Sequence, residues 1–267
     1  MNLYDTAALY AQNMSEPQRE RFRAFYRAVF QGFDFKLAHD CSIGAGGTTL
    51  PLAELGYAVS GSDLSENLLA KAADNFSAQG YEIKLSLRDL RDAGDVIPDG
   101  CGCVLSTGNS LPHVDLDGVR AFVSTAASRL GPGGLLFVDM RNWDAIVAER
   151  PIFTARDPFV MNEREHVSLY QVWEWHDDGS VDFVFVTSTD RDGKHVKTST
   201  LKAPRYYPLR YAGYAAALSD YGFEIVGRYD MDGLWPGARG GAGEKTGRFD
   251  DDFKTIAWYA VLARKIG

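Results

Sequence analysis

Hydrophobic and polar positions follow two rhythms along this chain, and the change falls near residue 150. Before it, short apolar runs alternate with stretches whose apolar residues stand three or four apart. Phe22, Phe25, Tyr26, Val29 and Phe30 lie at helical spacing behind Ser15-Glu16-Pro17-Gln18, a capping-box start with proline in the first turn. This predicts an amphipathic helix over 16–31. Strands are predicted over 36–42, 57–62, 82–88, 101–107 and 134–140, and helices over 47–56, 65–78 and 117–130. The last helix has Val119, Phe122, Val123, Ala126, Ala127 and Leu130 on one face, and Gly131-Pro132-Gly133-Gly134 stops it. Apolar strands alternating with helices imply an α/β fold with a doubly wound parallel sheet, covered on both faces and connected by right-handed crossovers.

After residue 150 the period becomes two. Segments 166–175, 180–190 and 195–202 alternate apolar and polar side chains, separated by the hairpin signals Asp177-Asp178-Gly179 and Asp192-Gly193-Lys194. A small antiparallel sheet inserted into the α/β domain is expected. The first rhythm returns with a helix over 209–221 and strands over 223–229 and 255–263. The domain plan is therefore an N-terminal helical segment (1–35), an α/β domain (36–150 and 203–267) and an inserted lid or substrate subdomain (151–202). The glycine-rich stretch 233–247 reads equally as a dispensable loop or as a lid near the strand tips. Tyr4 and Tyr10 belong to a frayed terminus or to a flap over a ligand.

Composition narrows the function classes. The 267 residues are 45% hydrophobic and 24% charged, ordinary for a globular protein. No apolar run approaches the roughly 18 residues that cross a bilayer, and the start lacks the pattern of a secretory signal, so no membrane partner is expected. Cys41, Cys101 and Cys103 fall in predicted strands without framework spacing, which points to reduced core thiols and a cytoplasmic setting. Net charge is −8 and the basic residues are scattered, which argues against a nucleic-acid partner and for a small-molecule substrate. Self-association into a homo-oligomer stays open.

The candidate chemistry sits where strands end. Asp40-Cys41-Ser42-Ile43-Gly44-Ala45-Gly46-Gly47 closes the first strand, and Asp63 closes the second. A glycine turn lets backbone approach a ligand, and a carboxylate at the next strand tip accepts hydrogen bonds from ribose hydroxyls. The pattern is Gly-x-Gly-Gly rather than Gly-x-Gly-x-x-Gly, so a nucleotide-like ligand is indicated without its identity. Ser65 fits an N-cap. Asp89, closing the third strand, reads equally as an acceptor for an adenine amino group and as a helix cap. Asn109, in the segment Thr107-Gly108-Asn109-Ser110, offers both donor and acceptor to a substrate. His113, after a proline, reads more readily as structural than as a base. Arg141 at the fifth strand tip needs a partner, which a substrate carboxylate, Asp139 or Asp144 would supply.

Taken together, DCSIGAGG, SGSDLS, LSTGNSLPHV and LGPGGLLFVDMRNWDAIV resemble class I S-adenosylmethionine-dependent methyltransferases, and most of all the glycine and sarcosine N-methyltransferase family. Gly44-Ala45-Gly46 matches that family's GTG turn, with Ala45 in place of threonine. Gly108-Asn109-Ser110, Arg141-Asn142-Trp143-Asp144 and Tyr206-Tyr207-Pro208 match its further segments. Ser42 stands where the wider superfamily has its first glycine. The resemblance implies a Rossmann-like methyltransferase sheet using S-adenosyl-L-methionine, releasing S-adenosyl-L-homocysteine and needing no metal. It implies cofactor contacts from Asp40, Gly44, Ala45, Gly46, Asp63, Leu64, Asp89, Leu90, Thr107 and Gly108. Substrate contacts would come from Asn109, His113, Arg141, Asn142, Tyr206 and Tyr207. Asn109, Arg141 and Tyr207 would position the acceptor for methyl transfer to an amine nitrogen, without an obligate general base. Other readings are a methyltransferase for another small molecule such as a natural product, a nicotinamide-dependent oxidoreductase, and a non-catalytic S-adenosylmethionine-binding protein.

Overall fold

Strand β1 (Leu37–Asp40) lies inside a seven-stranded sheet in the computed structural model, which describes residues 14–155, 159–162, 164–234 and 256–267. Chain order places β2 (Ala58–Asp63) and β3 (Lys84–Leu87) on one side of it, and β4 (Cys103–Ser106) and β5 (Leu135–Arg141) on the other. These five strands run parallel. Beyond β5 come β12 (Trp258–Lys265) and then β11 (Phe223–Asp230), with β12 antiparallel to both neighbours. The spatial order is β3-β2-β1-β4-β5-β12-β11. The direction of winding reverses at β1, so the tips of β1 and β4 diverge and leave a crevice.

Burial of both faces explains the continuous apolar strands. Leu135 and Phe137 of β5 face Phe22, Phe25 and Tyr26 of α1 (Glu16–Val29), while Leu136, Val138 and Met140 face the opposite layer. That second layer is built by α4 (Leu116–Arg129) and α6 (Tyr211–Asp220), through Val119, Phe122, Val123, Tyr214 and Leu218. The remaining helices are α2 (Leu50–Glu54), α3 (Glu66–Ala78) and α5 (Trp143–Glu149). Ser65 caps α3 as expected, accepting the Leu68 N–H at 3.3 Å.

The second rhythm forms a separate antiparallel sheet. Its strands are β6 (Phe153–Ala155), β7 (Phe159–Asn162), β8 (Glu165–Trp175), β9 (Val181–Arg191) and β10 (Lys194–Lys202). Their order is β10-β9-β8-β6, with β7 also paired to β8. Asp192 and Gly193 both have positive φ, 51° and 72°, as a tight hairpin turn between right-twisted strands requires. One face of this sheet carries Trp173, Val181, Phe183 and Phe185, which close over Trp143 and Tyr206.

Some local expectations differ. Ser15 gives α1 its carbonyl rather than its hydroxyl, receiving the Gln18 and Arg19 N–H groups, so the capping box does not form. Helix α2 has only 5 residues. Helix α5 and strands β6 and β7 were not anticipated, because seven residues or fewer do not establish a period. Cys41 and Cys101 flank strands rather than lying within them, and all three thiols are buried and free. Tyr4, Tyr10 and all but the first two residues of the 233–247 stretch lie outside the described residues.

Candidate active site at the strand tips

The glycine turn is held from three sides. Gly44 and Gly46 have φ of 52° and 78°, which favour glycine. A Cβ on Gly46 would lie 2.8 Å from the Phe76 ring of α3, so this residue also permits close helix packing. At Gly44 nothing lies within 4 Å of the same position, and that side of the turn is open. The Tyr26 hydroxyl of α1 donates to the Thr48 carbonyl at 3.0 Å, and Asn75 Nδ2 of α3 donates to the Ala45 carbonyl at 2.8 Å. Asp63 closes the third side. Its carboxylate accepts the Gly44 N–H at 2.8 Å and the Ser65 N–H at 3.0 Å. Burial pushes Asp63 above the usual carboxylate range. Leu64, 68% exposed, offers apolar surface beside it.

Asp40 has a different part from the one expected. It is fully buried, accepting from the Ser42 N–H at 3.0 Å, the Thr49 hydroxyl at 2.6 Å and the Thr107 hydroxyl at 2.7 Å. Thr107 also meets the Thr48 hydroxyl at 2.8 Å, and Ser42 meets Ser106 at 2.9 Å. Asp40 and Thr107 therefore fasten the tips of β1 and β4 to the glycine turn rather than facing a ligand. Ser42 works in the same network: its Oγ accepts the Thr107 N–H at 3.1 Å. A buried carboxylate survives here because several donors replace water.

A second buried carboxylate organises β4 and β5. Asp139 accepts the N–H groups of Gly108 (3.0 Å) and Asn109 (3.3 Å) and the Trp258 indole N–H (2.8 Å). Burial pushes its pKa up to about 7. Asn109 has a left-handed φ of 61°, and its Oδ1 accepts the Arg141 N–H and the Trp143 indole N–H, both at 3.0 Å. That oxygen is committed to shaping the loop, so Asn109 positions Arg141 and Trp143 instead of presenting both ends of its amide to a substrate. Asn142 is likewise structural. It caps α5 by accepting the Ala145 N–H at 3.1 Å, and it donates to the Ile256 carbonyl at 2.9 Å.

Arg141 projects from this frame. Its guanidinium centre lies 5.6 Å from the Phe183 ring centroid and 5.7 Å from that of Trp258. Cation–π contact suits a flat guanidinium between two rings. Neither Asp139 nor Asp144 pairs with it, since Asp144 accepts the Tyr211 N–H at 2.8 Å and Asp139 is occupied as above. Among the described residues no carboxylate stands in ion-pair contact with Arg141.

The other expected residues divide. Tyr206 is buried, its ring 5.4 Å from Trp143 and 4.6 Å from Phe183, in the wall beneath the inserted sheet. Tyr207 is exposed and its N–H donates to the Pro112 carbonyl. His113 packs on Tyr206 and donates through Nδ1 to the Arg205 carbonyl at 3.0 Å. Burial lowers its pKa to about 4, so it is neutral near pH 7 and structural. Asp89 takes the capping role. It accepts the Arg91 N–H at 2.9 Å, and the hydrogen bond from the Arg91 side chain holds its carboxyl below the ordinary range. Leu90 turns into the core with Ala93 and Ile97 rather than toward the crevice. Thr49, Phe183 and Trp258 were missed. Trp258 carried the clearest signal, an indole N–H at the start of an otherwise apolar strand.

Strand β1 with its glycine turn, Asp63 at the next tip, and a reversed strand beyond β5 define a class I, Rossmann-like methyltransferase fold. Residues 38–134 match the family model described as a methyltransferase domain. A glycine/sarcosine N-methyltransferase of Halorhodospira halochloris is 30% identical over 109 residues, which are 40% of this chain and 41% of that protein. A ubiquinone biosynthesis O-methyltransferase of Caulobacter vibrioides is 34% identical over 120 residues, 43% of this chain and 44% of that protein. These matches span less than half the length of either relative. A solved S-adenosylmethionine-dependent methyltransferase from Clostridium acetobutylicum superposes with a TM-score of 0.70 at 17% identity, covering 99% of this chain and 97% of that one. Among the described residues no helix is long and apolar enough to cross a membrane, and no group of three His, Cys, Asp or Glu side chains gathers to hold a metal ion.

Proposed function

We propose that this chain is an S-adenosylmethionine-dependent methyltransferase acting on a small molecule, with the amine nitrogen of an amino acid or a related carboxylate-bearing amine as acceptor. The residues at the crevice fit the cofactor. Gly44 leaves an open backbone side, Asp63 keeps lone pairs for two hydroxyls beyond its backbone donors, and Leu64 offers an apolar face. The observation that carries the acceptor class is Arg141. It is a cation between two aromatic rings at the β5 tip, beside the crevice and without a carboxylate partner among the described residues. A bidentate carboxylate is its natural complement.

Bound S-adenosylmethionine supplies a methyl group already activated on a sulfonium. What the protein must add is alignment, holding the nucleophile roughly 3–3.5 Å from that carbon and in line. Arg141 would fix the carboxylate end of the acceptor, and the Phe183 and Trp258 walls would exclude water. The amine gives its proton to water before attack, so no side chain is required as base. The buried free cysteines and scattered basic residues support a cytoplasmic enzyme with a small-molecule partner.

One screen tests the reading. Amino acids and small amines are offered with labelled S-adenosylmethionine and the product masses are read, alongside calorimetric titration with S-adenosylhomocysteine and NADH. Methylated glycine- or sarcosine-like products are expected, with binding of S-adenosylhomocysteine alone. NADH binding, or tight S-adenosylhomocysteine binding with no turnover of any acceptor, would refute it. Methyl transfer to a hydroxyl would favour the second reading, another small-molecule acceptor. The O-methyltransferase relative supports that alternative.

A further inference from the structure

Gln171 of β8 is a buried amide with half its hydrogen-bonding capacity unused. It is 2% exposed, and its Nε2 has no partner among the described residues. Buried donors without acceptors are rare in folded proteins and point to a missing ligand, water or ion. One contact engages the oxygen end of this amide. The Trp173 indole can only donate, and it gives its N–H to Thr154 Oγ1 at 3.1 Å. The Thr154 hydroxyl then passes its own proton to Gln171 Oε1 at 3.5 Å. The oxygen is taken, so the NH2 group is the end held out.

Register shows where that group stands. Gln171 pairs with Phe185, and Trp173 with Phe183, so Gln171 and Phe183 are diagonal neighbours on one face of the inserted sheet. Diagonal positions are roughly 7–8 Å apart. Phe183 is the ring on which the Arg141 guanidinium rests. The same face closes over Trp143 and Tyr206. A cation from the β5 tip and an unpartnered neutral donor from the inserted sheet thus flank the same ring, Phe183, within one buried aromatic cluster.

We infer that Gln171 is a specificity residue of the acceptor site, donating from Nε2 to a carboxylate oxygen of the methyl acceptor while Arg141 pairs with the same carboxylate. This rests on the carboxylate-bearing acceptor proposed above and adds the neutral half of its recognition. It also gives the inserted sheet a direct part in choosing the substrate.

The test uses sarcosine as probe, with saturating S-adenosylmethionine and the whole chain. Gln171→Leu removes the donor at similar size, and KM for sarcosine should rise about tenfold or more while S-adenosylhomocysteine affinity stays unchanged. Gln171→Glu replaces the donor with an anion and should be worse than Gln171→Leu toward sarcosine. Gln171→Met, closer in shape, repeats the test if Gln171→Leu does not fold, as judged by thermal melting. An unchanged KM in a folded, cofactor-binding donor-less variant overturns the inference; if Arg141→Ala still raises KM in parallel, the carboxylate reading itself stands. A loss of kcat and cofactor affinity together, with KM unmoved, marks a packing role and also overturns it. Wild-type protein that turns over no carboxylated amine refutes both.

Discussion

The two carboxylate-organised sides of the active crevice are built on opposite terms. On the β1–β2 side, Asp40 and Asp63 receive backbone N–H groups and threonine hydroxyls, so both carboxylates are held in place without a ligand while Asp63 keeps acceptor capacity to spare. On the other side, Asp139 and Asn109 shape the loop that projects Arg141, whose guanidinium among the described residues meets the Phe183 and Trp258 rings and no carboxylate. The first arrangement is preorganised for one ligand. The second presents donors without protein partners beside aromatic rings, and on the proposed reading a few side chains there and on the inserted sheet choose the acceptor. A methyl donor common to many reactions and an acceptor that differs between them call for that asymmetry.

The comparison can be broken by substitution. Asp63→Ala should weaken S-adenosylhomocysteine binding on the order of 100-fold, since hydrogen bonds to a charged group are lost together; unchanged calorimetric affinity would remove Asp63 from the cofactor side. Arg141→Ala should raise KM for a carboxylated acceptor by about 10- to 100-fold while cofactor affinity holds. Equal loss of both, or of neither, would merge the two sides. The effect at Asp139 is read as a slope. Burial raises its pKa to about 7 in the folded protein, against about 3.9 when unfolded, so the folded state keeps a proton that the unfolded state has lost. Stability should therefore fall as pH rises from about 4 to about 7, by at most about 1.4 kcal/mol per unit from this group. Urea unfolding of Asp139→Asn across that range should lack this component. Ser65→Ala removes the α3 cap and should cost about 1 kcal/mol with acceptor KM unchanged.

The sheet was legible because its signal is redundant. The strands β1 to β5 alternate with helical spacing or glycine turns, β4 and β5 being the most apolar, and one misplaced end does not alter the winding. The inserted hairpins were legible for the same reason, from strict alternation and turns such as Asp192-Gly193. Site residues were legible by place and not by direction. Asp40, Thr107, Asn109 and Asn142 stand at the strand tips where the motifs put them, but their side chains turn into buried networks. The alternation that tells a side chain's face within a strand stops at its last residue, and the loop geometry that takes over is set by hydrogen bonds across sequence separations of 31 or 67 residues. Asp89 shows the limit from the other direction: cap and ligand contact call for the same residue at the same spot, and only Arg91 decides between them. Gln171 left no mark in the sequence, since a polar residue in an alternating strand reads as solvent-facing until register assigns its face.

The reversed strand β12 has a consequence of its own. Because β11 runs parallel to β5 while β12 runs against it, the end of β11 at Asp230 and the start of β12 at Trp258 arrive at the same edge as the glycine turn and Arg141. The link between these last two strands therefore opens at the reactive rim and not at the far one. Its described ends are anchored: Met231 and Leu234 pack into the core, and Asp232 accepts the Ala257 and Trp258 N–H groups. One inverted strand thus returns the chain, on both sides of that link, to the edge where the parallel strands end.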